Sequence, residues 1–346
     1  MKRFPATLPR RSSKTPRLRR TRTNPPLNRT ASKKLQRCCS FFHGVNEMYR
    51  ITVPASSANL GPGFDCMGVA LTLYNTVTLA PSPALSIRVT GESATRIARN
   101  QRNLVYATYA RTMERWGLDP QPIRLVQENR VPSTRGLGSS STAIVAGILS
   151  AYAMAGREVD REEALSLATL AEGHPDNVAP AILGGFTVSF FDGANTYSIR
   201  QDVPSEVVFV ALVPDFELST RKAREVLPKE VSQADAVFNL SRGAYLSAAM
   251  MAGDVKKAAA AMEDRLHQNQ RSVLIPGYGI IADAARSAGA MAVYLSGAGP
   301  TMMALVEGER VKGFTIQMRS ALEQLSNHWR ILPLSVCNGG ARLERI

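Results

Sequence analysis

Between Pro132 and Thr142 the chain reads Pro-Ser-Thr-Arg-Gly-Leu-Gly-Ser-Ser-Ser-Thr, then turns apolar through Ala143-Ile144-Val145-Ala146-Gly147-Ile148-Leu149. Gly136 and Gly138 let the backbone bend where a Cβ would obstruct it. The apolar run, continuing to Ala155, predicts a helix buried nearly all round. If such a helix holds a ligand, its N-terminus must point into a cleft. Its first amides have no intrahelical acceptors, and the helix start carries partial positive charge. Both suit a phosphate, and Ser139, Ser140 and Ser141 add hydroxyl donors and a possible metal ligand. The string is not Walker A, which requires Gly-Lys-Ser/Thr, nor the dinucleotide fingerprint, which requires a third spaced glycine. Read alone, it suits a phosphate loop or an ordinary helix cap.

The stretches before it are strand-patterned. Ile51 and Val53 alternate into the loop Pro54-Ala55-Ser56-Ser57-Ala58-Asn59-Leu60-Gly61-Pro62-Gly63-Phe64-Asp65, small residues that let a ligand or another backbone come close. Alternation at Val69, Leu71, Leu73, Val77, Leu79, Leu85, Ile87 and Val89 predicts antiparallel strands with one covered face. Val105, Tyr109, Met113 and Trp116 predict a helix stopped by Gly117, and Ile123–Val126 a further strand. After the buried helix, a second one over Arg161–Ala171, capped by Asp160, delivers Glu172-Gly173-His174-Pro175-Asp176-Asn177, a polar bend that a surface turn would resemble.

Composition shifts near Asp202-Val203-Pro204. A strand over Val207–Val213 precedes the segment Ser219–Arg224, helices near 233–252, 254–266 and 280–287, and strands at 291–295 and 302–306. Those two strands flank Ser296-Gly297-Ala298-Gly299-Pro300-Thr301, and a helix near 311–325 and a strand near 331–336 follow. The order predicts a split βαβ sandwich of the ferredoxin kind.

The net charge of +14 suggests nucleic acid until it is located. Residues 1–47 carry thirteen Lys and Arg against the single acid Glu47, which leaves only +2 for the remaining 299 residues. The basicity therefore belongs to a tail rich in Pro, Ser, Thr and Arg, without apolar periodicity, and expected to be disordered. It reads as an organellar transit segment, a nucleic-acid arm, or sequence upstream of a true start at Met48, the last being preferred. Cys38, Cys39, Cys66 and Cys337 have neither metal-ligand spacing nor a secreted disulfide framework, which fits a reducing, cytoplasmic setting. Cys66 reads as a packing residue, since no base accompanies it in sequence.

Three glycine-rich loops, at 55–65, 134–141 and 296–301, separate well-patterned elements, as in a cleft wrapped by backbone. Their order and content resemble the GHMP small-molecule kinases: an N-terminal strand-loop, a Pro-x-x-x-Gly-Leu-Gly-Ser-Ser phosphate loop and a C-terminal Gly-x-Gly-Pro-Thr loop. Within that superfamily, the segments 54–65 and His174-Pro175-Asp176-Asn177-Val178-Ala179-Pro180 resemble the homoserine kinases, and the likeness covers nearly everything from Met48 on.

The resemblance implies an α+β, two-domain GHMP fold behind the 1–47 extension. Residues 48–202 would form an N-terminal, ATP-binding α/β domain with left-over-right, ribosomal-protein-like layers, and 203–346 a C-terminal ferredoxin-like sandwich. It also implies transfer of the γ-phosphoryl group of ATP to the side-chain hydroxyl of L-homoserine, giving O-phospho-L-homoserine for threonine synthesis, by a cytoplasmic, homodimeric enzyme. Pro132, Ser133, Thr134, Arg135, Gly136, Leu137, Gly138, Ser139, Ser140, Ser141 and Thr142 would cradle the nucleotide, with Mg²⁺ on Ser140 and Glu172. Glu163 stands as the alternate metal ligand, because Glu172 lies only two residues before His174, closer than the family often has it.

On the substrate side, Asp65 would suit the ammonium, and Arg224 and Arg271 the carboxylate. Asn59, His174, Asn177 and Thr220 would surround the hydroxyl and amino-acid backbone, with Gly297 and Gly299 allowing main chain to approach. No strong general base stands out, so Asn59 or Asn177 would orient the attacking oxygen, and Glu172 completes the catalytic set. The Gln268-Asn269-Gln270-Arg271 string lacks the Pro-Tyr pair frequent before the second arginine. Two rivals remain: a nucleic-acid-binding module, whose affinity would vanish with residues 1–47 and fall steeply with salt, and a GHMP kinase for another acceptor.

Overall fold

Two β-sheets organise residues 47–346, the part of the chain described by the computed structural model. Residues 1–46 lie outside it, and with them the expectations of a disordered tail, a transit segment or a nucleic-acid arm. In chain order the first half comprises β1 (Tyr49–Ala58), β2 (Met67–Pro81), β3 (Ser86–Gly91), α1 (Leu104–Arg115), β4 (Ile123–Asn129), α2 (Ser139–Ala155), α3 (Arg161–Glu172), α4 (Val178–Leu183), β5 (Phe186–Phe191) and β6 (Thr196–Gln201). The second comprises β7 (Val207–Pro214), α5 (Thr220–Glu225), α6 (Gln233–Met251), α7 (Val255–Ala259), α8 (Gln268–Ser272), α9 (Tyr278–Ser287), β8 (Ala292–Leu295), β9 (Met302–Glu307), α10 (Val311–Leu322), β10 (Trp329–Leu334) and β11 (Arg342–Arg345).

Local chemistry sets the helix ends, and the cap expected at Asp160 is among them. Asn103 caps α1 by accepting from the Val105 and Tyr106 amides, and Asp160 caps α3 by accepting from Glu162 and Glu163. Gly173, at φ 95°, ends α3 directly after Glu172, so the chain has left the helix by His174. Helix α2 is buried along almost its whole length, in a core with α1, α3, α4 and the covered face of the first sheet.

The first sheet runs β11-β1-β2-β4-β3, with β5 and β6 continuing from the other half of β2. Fifteen residues long, β2 pairs with β5 near Met67–Val69 and with β4 over Thr76–Pro81. Strand β3 corrects one expectation, for it pairs with β4 in parallel. The intervening α1 makes β3-α1-β4 a crossover unit, which alternation alone does not distinguish from a hairpin.

The second sheet runs β10-β7-β9-β8, every pair antiparallel, so β9 lies between the two strands of a split βαβ unit, as the element order predicts. Strand β7 is covered on both sides. Val210 and Leu212 face Phe314 and Met318 of α10, whereas Phe209, Ala211 and Val213 share a core with Val69, Leu71 and Leu137 of the first half.

One more expectation changes. The helix expected over 254–266 stops at Ala259, because Asp264 collects the amides of Leu266, His267 and Gln268 and the Asn239 side chain. The β5–β6 hairpin and β11 were not anticipated. Strand β11 pairs with β1, so the last strand of the stretch expected as a C-terminal sandwich, 203–346, joins the first sheet. Among the described residues, no helix is long and apolar enough to cross a membrane.

Candidate active site

Backbone hydrogen bonds bind the three glycine loops together. Ser56 N–H donates to the Leu137 carbonyl (3.2 Å), Gly297 N–H to Ala58 (3.1 Å) and Thr301 N–H to Arg135 (3.2 Å). Beneath them lies a buried hydroxyl chain: Tyr294 Oη is 3.0 Å from Ser57 Oγ, which is 2.8 Å from Ser296 Oγ, which lies 2.6 Å from the Gly136 carbonyl. Gly136 (φ 79°) and Gly138 (φ 69°) are left-handed, so the chain turns sharply into α2, whose first internal bond is Thr142 N–H to Gly138 (2.9 Å). The amides of Ser139, Ser140 and Ser141 are left for a ligand.

They open on a cleft of about 370 Å³. It is lined by Ser133, Thr134, Gly136, Gly138 and Ser139–Ser141 of the phosphate loop, together with Asn59, Asp65, Glu172, His174, Asn177, Thr220, Arg224, Arg271, Gly297 and Gly299. Four members of the expected nucleotide segment do not line it. Pro132 and Leu137 are buried, and Thr142 Oγ1 donates to the Ser139 carbonyl while accepting from Asn75. The Arg135 guanidinium turns to the carbonyls of Ser133, Pro214 and Asp215. These residues shape the loop through packing rather than through side-chain contact with the cleft.

Glu172 Oε1 accepts from Ser140 Oγ (2.8 Å) and Ser141 Oγ (3.1 Å). One carboxylate and two hydroxyls at a helix start form a hard oxygen set of the kind Mg²⁺ prefers. Glu163, the alternate, is taken up elsewhere by Trp116, Tyr152 and Arg157, and does not line the cleft.

Asp65 and Arg224 face each other in a bidentate pair (2.8 and 3.0 Å). Arg271 is 2% exposed and donates to the carbonyls of Ala223 (3.2 Å) and Gly297 (3.1 Å) and to His267 Nδ1 (3.2 Å). Burial, with the neighbouring Arg224 charge, pulls its pKa down to about 10. Because Arg271 donates to Nδ1, His267 carries its proton on Nε2, which donates to the Gly61 carbonyl (2.9 Å), and burial lowers its pKa.

His174 Nδ1 bonds the buried Asp176 carboxylate. Burial disfavours the imidazolium, yet the Asp176 hydrogen bond and charge, with Asp65 and Glu172, push its pKa up to about 9. Asn177 accepts from Ser56 Oγ (2.8 Å) and donates to Asp176 (3.3 Å). Asn59 donates to the Gly297 carbonyl (2.9 Å) and accepts from the Asp65 amide (3.0 Å), so it ties two loops. Cys66 is pushed up to about 11 by burial and by Asp176 and Asp65, which fits packing rather than thiol chemistry.

Sequence reasoning left several contributors unassigned. Asp176 lay inside a quoted motif, and Ser56, Ser57 and Ser296 inside the glycine loops. Ile97, Leu104, Gln127 and Asn129 also line the cleft, with no motif to mark them.

Residues 103–185 match the family "GHMP kinases N terminal domain" and 246–323 match "GHMP kinases C terminal". The chain is 46% identical over 271 residues to the homoserine kinase of Carboxydothermus hydrogenoformans, covering 78% of this chain and 89% of that one. It is 43% identical over 296 residues to that of Desulfitobacterium hafniense, covering 85% and 99%. The crystal structure of homoserine kinase from Cytophaga hutchinsonii superposes with a TM-score of 0.78 at 27% identity, covering 88% of this chain and 99% of that one. With its cleft geometry and these relatives, the chain belongs to the homoserine kinases of the GHMP kinase superfamily.

Proposed function

We propose that the cleft transfers the γ-phosphoryl group of ATP to the side-chain hydroxyl of L-homoserine, giving the O-phospho-L-homoserine used for threonine synthesis. One observation carries the reading: free amides at the start of α2 open on the same cleft as Asp65, Arg224 and Arg271. Phosphate recognition and amino-acid recognition thus share one space.

The residues take the following roles. The amides of Ser139–Ser141, with the loop from Ser133, hold the terminal phosphates at the positive helix end. Ser140 and Glu172 would hold Mg²⁺, which when bound neutralises charge on the β- and γ-phosphate oxygens. Asp65 pairs with the substrate ammonium, and Arg224 and Arg271 with its carboxylate. Thr220, Gly297 and Gly299 close around the amino-acid backbone.

His174, held as imidazolium by Asp176 at neutral pH, is no general base there and acts as a cation facing the cleft. Asn177, braced by Ser56 and Asp176, orients the attacking hydroxyl, while Asn59 positions the Asp65 and Gly297 loops. Rate enhancement then comes from alignment and charge stabilisation, as suits phosphoryl transfer. We take the working enzyme to be a cytoplasmic homodimer.

A coupled ADP-release assay with homoserine, mevalonate, galactose and shikimate tests the reading, with Arg224→Ala alongside. Turnover should be confined to homoserine, and the variant should lose homoserine affinity while still binding ATP. No turnover with homoserine would overturn the assignment.

A further inference from the structure

We propose that Asp65 and Arg224 form a charge latch across the substrate cleft, released by an alcohol that carries both an ammonium and a carboxylate, so that the zwitterion as a whole is selected. This rests on the reading that Asp65 and Arg224 receive the two charged ends of homoserine.

The two groups already satisfy each other. Arg224 Nη1 and Nη2 donate to Asp65 Oδ2 (3.0 Å) and Oδ1 (2.8 Å), the two-pronged geometry with which a guanidinium would hold a substrate carboxylate. The partners lie 159 residues apart in sequence, Asp65 on the loop between β1 and β2 and Arg224 on α5. Their side chains are 34% and 39% exposed, so a ligand in the cleft can reach both.

Neither end is free to drift. Asp65 has φ 58°, and its amide is held by Asn59 Oδ1 (3.0 Å). The Phe64 ring stacks on His267 with centroids 4.9 Å apart and lies 5.6 Å from the Arg224 guanidinium.

A ligand carboxylate that takes the Arg224 fork must displace Asp65, leaving that carboxylate without its guanidinium beside an incoming anion, with Asp176 as well as His174 within 4.8 Å. A ligand ammonium that takes Asp65 leaves Arg224 unpaired near Arg271, itself buried and already opposed by Arg224. Only a ligand that brings both charges replaces the pair charge for charge. An alcohol with one charge must break the latch without compensation.

Isothermal titration calorimetry on the full chain tests this with homoserine, 4-hydroxybutyrate, which lacks the ammonium, and 3-aminopropan-1-ol, which lacks the carboxylate. Asp65→Asn should weaken homoserine binding and tighten 4-hydroxybutyrate binding about fivefold, the most an exposed pair is worth. Arg224→Gln should do the mirror image, tightening 3-aminopropan-1-ol while weakening homoserine, and it provides the test should Asp65→Asn not fold. If homoserine binding falls in Asp65→Asn but 4-hydroxybutyrate is unchanged or weaker, the latch is wrong and the ammonium assignment stands. If homoserine binding is unchanged, the assignment of Asp65 to the ammonium fails, and the latch with it.

Discussion

Gly136→Ala should damage the enzyme far more than its size suggests. Gly136 has φ 79°, and a Cβ built on it would lie 2.3 Å from the Ser296 carbonyl oxygen and 2.9 Å from that of Gly299, both closer than the 3.0 Å below which real Cβ contacts essentially never occur. The obstructing atoms are backbone, so no rotamer change relieves the clash. The phosphate loop and the 296–301 loop must part by roughly 1 Å, enough for about a hundredfold loss of rate where reacting groups are aligned. Alanine in the left-handed region costs about 1–2 kcal/mol, and losing the Ser296 Oγ bond to the Gly136 carbonyl costs about 1 kcal/mol. Gly117→Ala supplies the control, since Gly117 has a similar φ of 72° with nothing within 4 Å of the added Cβ. Urea unfolding followed by fluorescence, alongside coupled ADP release, should show Gly136→Ala down by about 3 kcal/mol and about a hundredfold in kcat/KM for ATP. Gly117→Ala should lose only about 1 kcal/mol and no activity. Indistinguishable variants would refute the claim that contact between the two loops positions the phosphates.

Glu172→Gln keeps a carbonyl oxygen for Ser140 and Ser141 but removes the charge that would hold a cation, so half-maximal activity should need about tenfold more Mg²⁺. A magnesium titration with the same optimum as the parent would remove Glu172 from the metal set. His267 has its pKa lowered in the fold by burial, so as pH falls through about 6.5 the unfolded chain takes up a proton first and stability drops. His267→Gln retains a donor for Gly61 and an acceptor for Arg271 without titrating. Just below pH 6.5, its unfolding free energy should therefore fall less steeply than the parent's, by up to about 1.4 kcal/mol per pH unit. Parallel pH profiles would mean that His267 is charged in the fold.

How legible a feature was depended on where its cause lies. Gly138 bends the chain into α2, Asp160 caps α3 and Gly117 closes α1, because each residue's own geometry or side chain settles the matter within a turn. Alternation at Ile87 and Val89 marks a strand, but the parallel pairing of β3 depends on where β4 is delivered after a whole helix. The β5–β6 hairpin was obscured because exposed Phe190, Tyr197 and Ile199 blur the apolar alternation that normally reveals strands. Helical periodicity past Ala259 was outweighed by Asp264, a buried carboxylate better satisfied by four donors than by a continuing helix.

The same division runs through the site. The 132–142 string suited a phosphate or a plain helix cap, and the family resemblance implied two groups of opposite charge, yet nothing local could say that those groups hold each other across 159 residues. Nor could it show that Asn59 is committed to two loops while Asn177 is braced at the cleft by Ser56 and Asp176. Motif reading therefore names the charges a site contains, whereas pairing decides which charges a substrate must displace. Selectivity among alcohols in this cleft should follow the second quantity, and measuring single-charge analogues against Asp65→Asn separates it from the first.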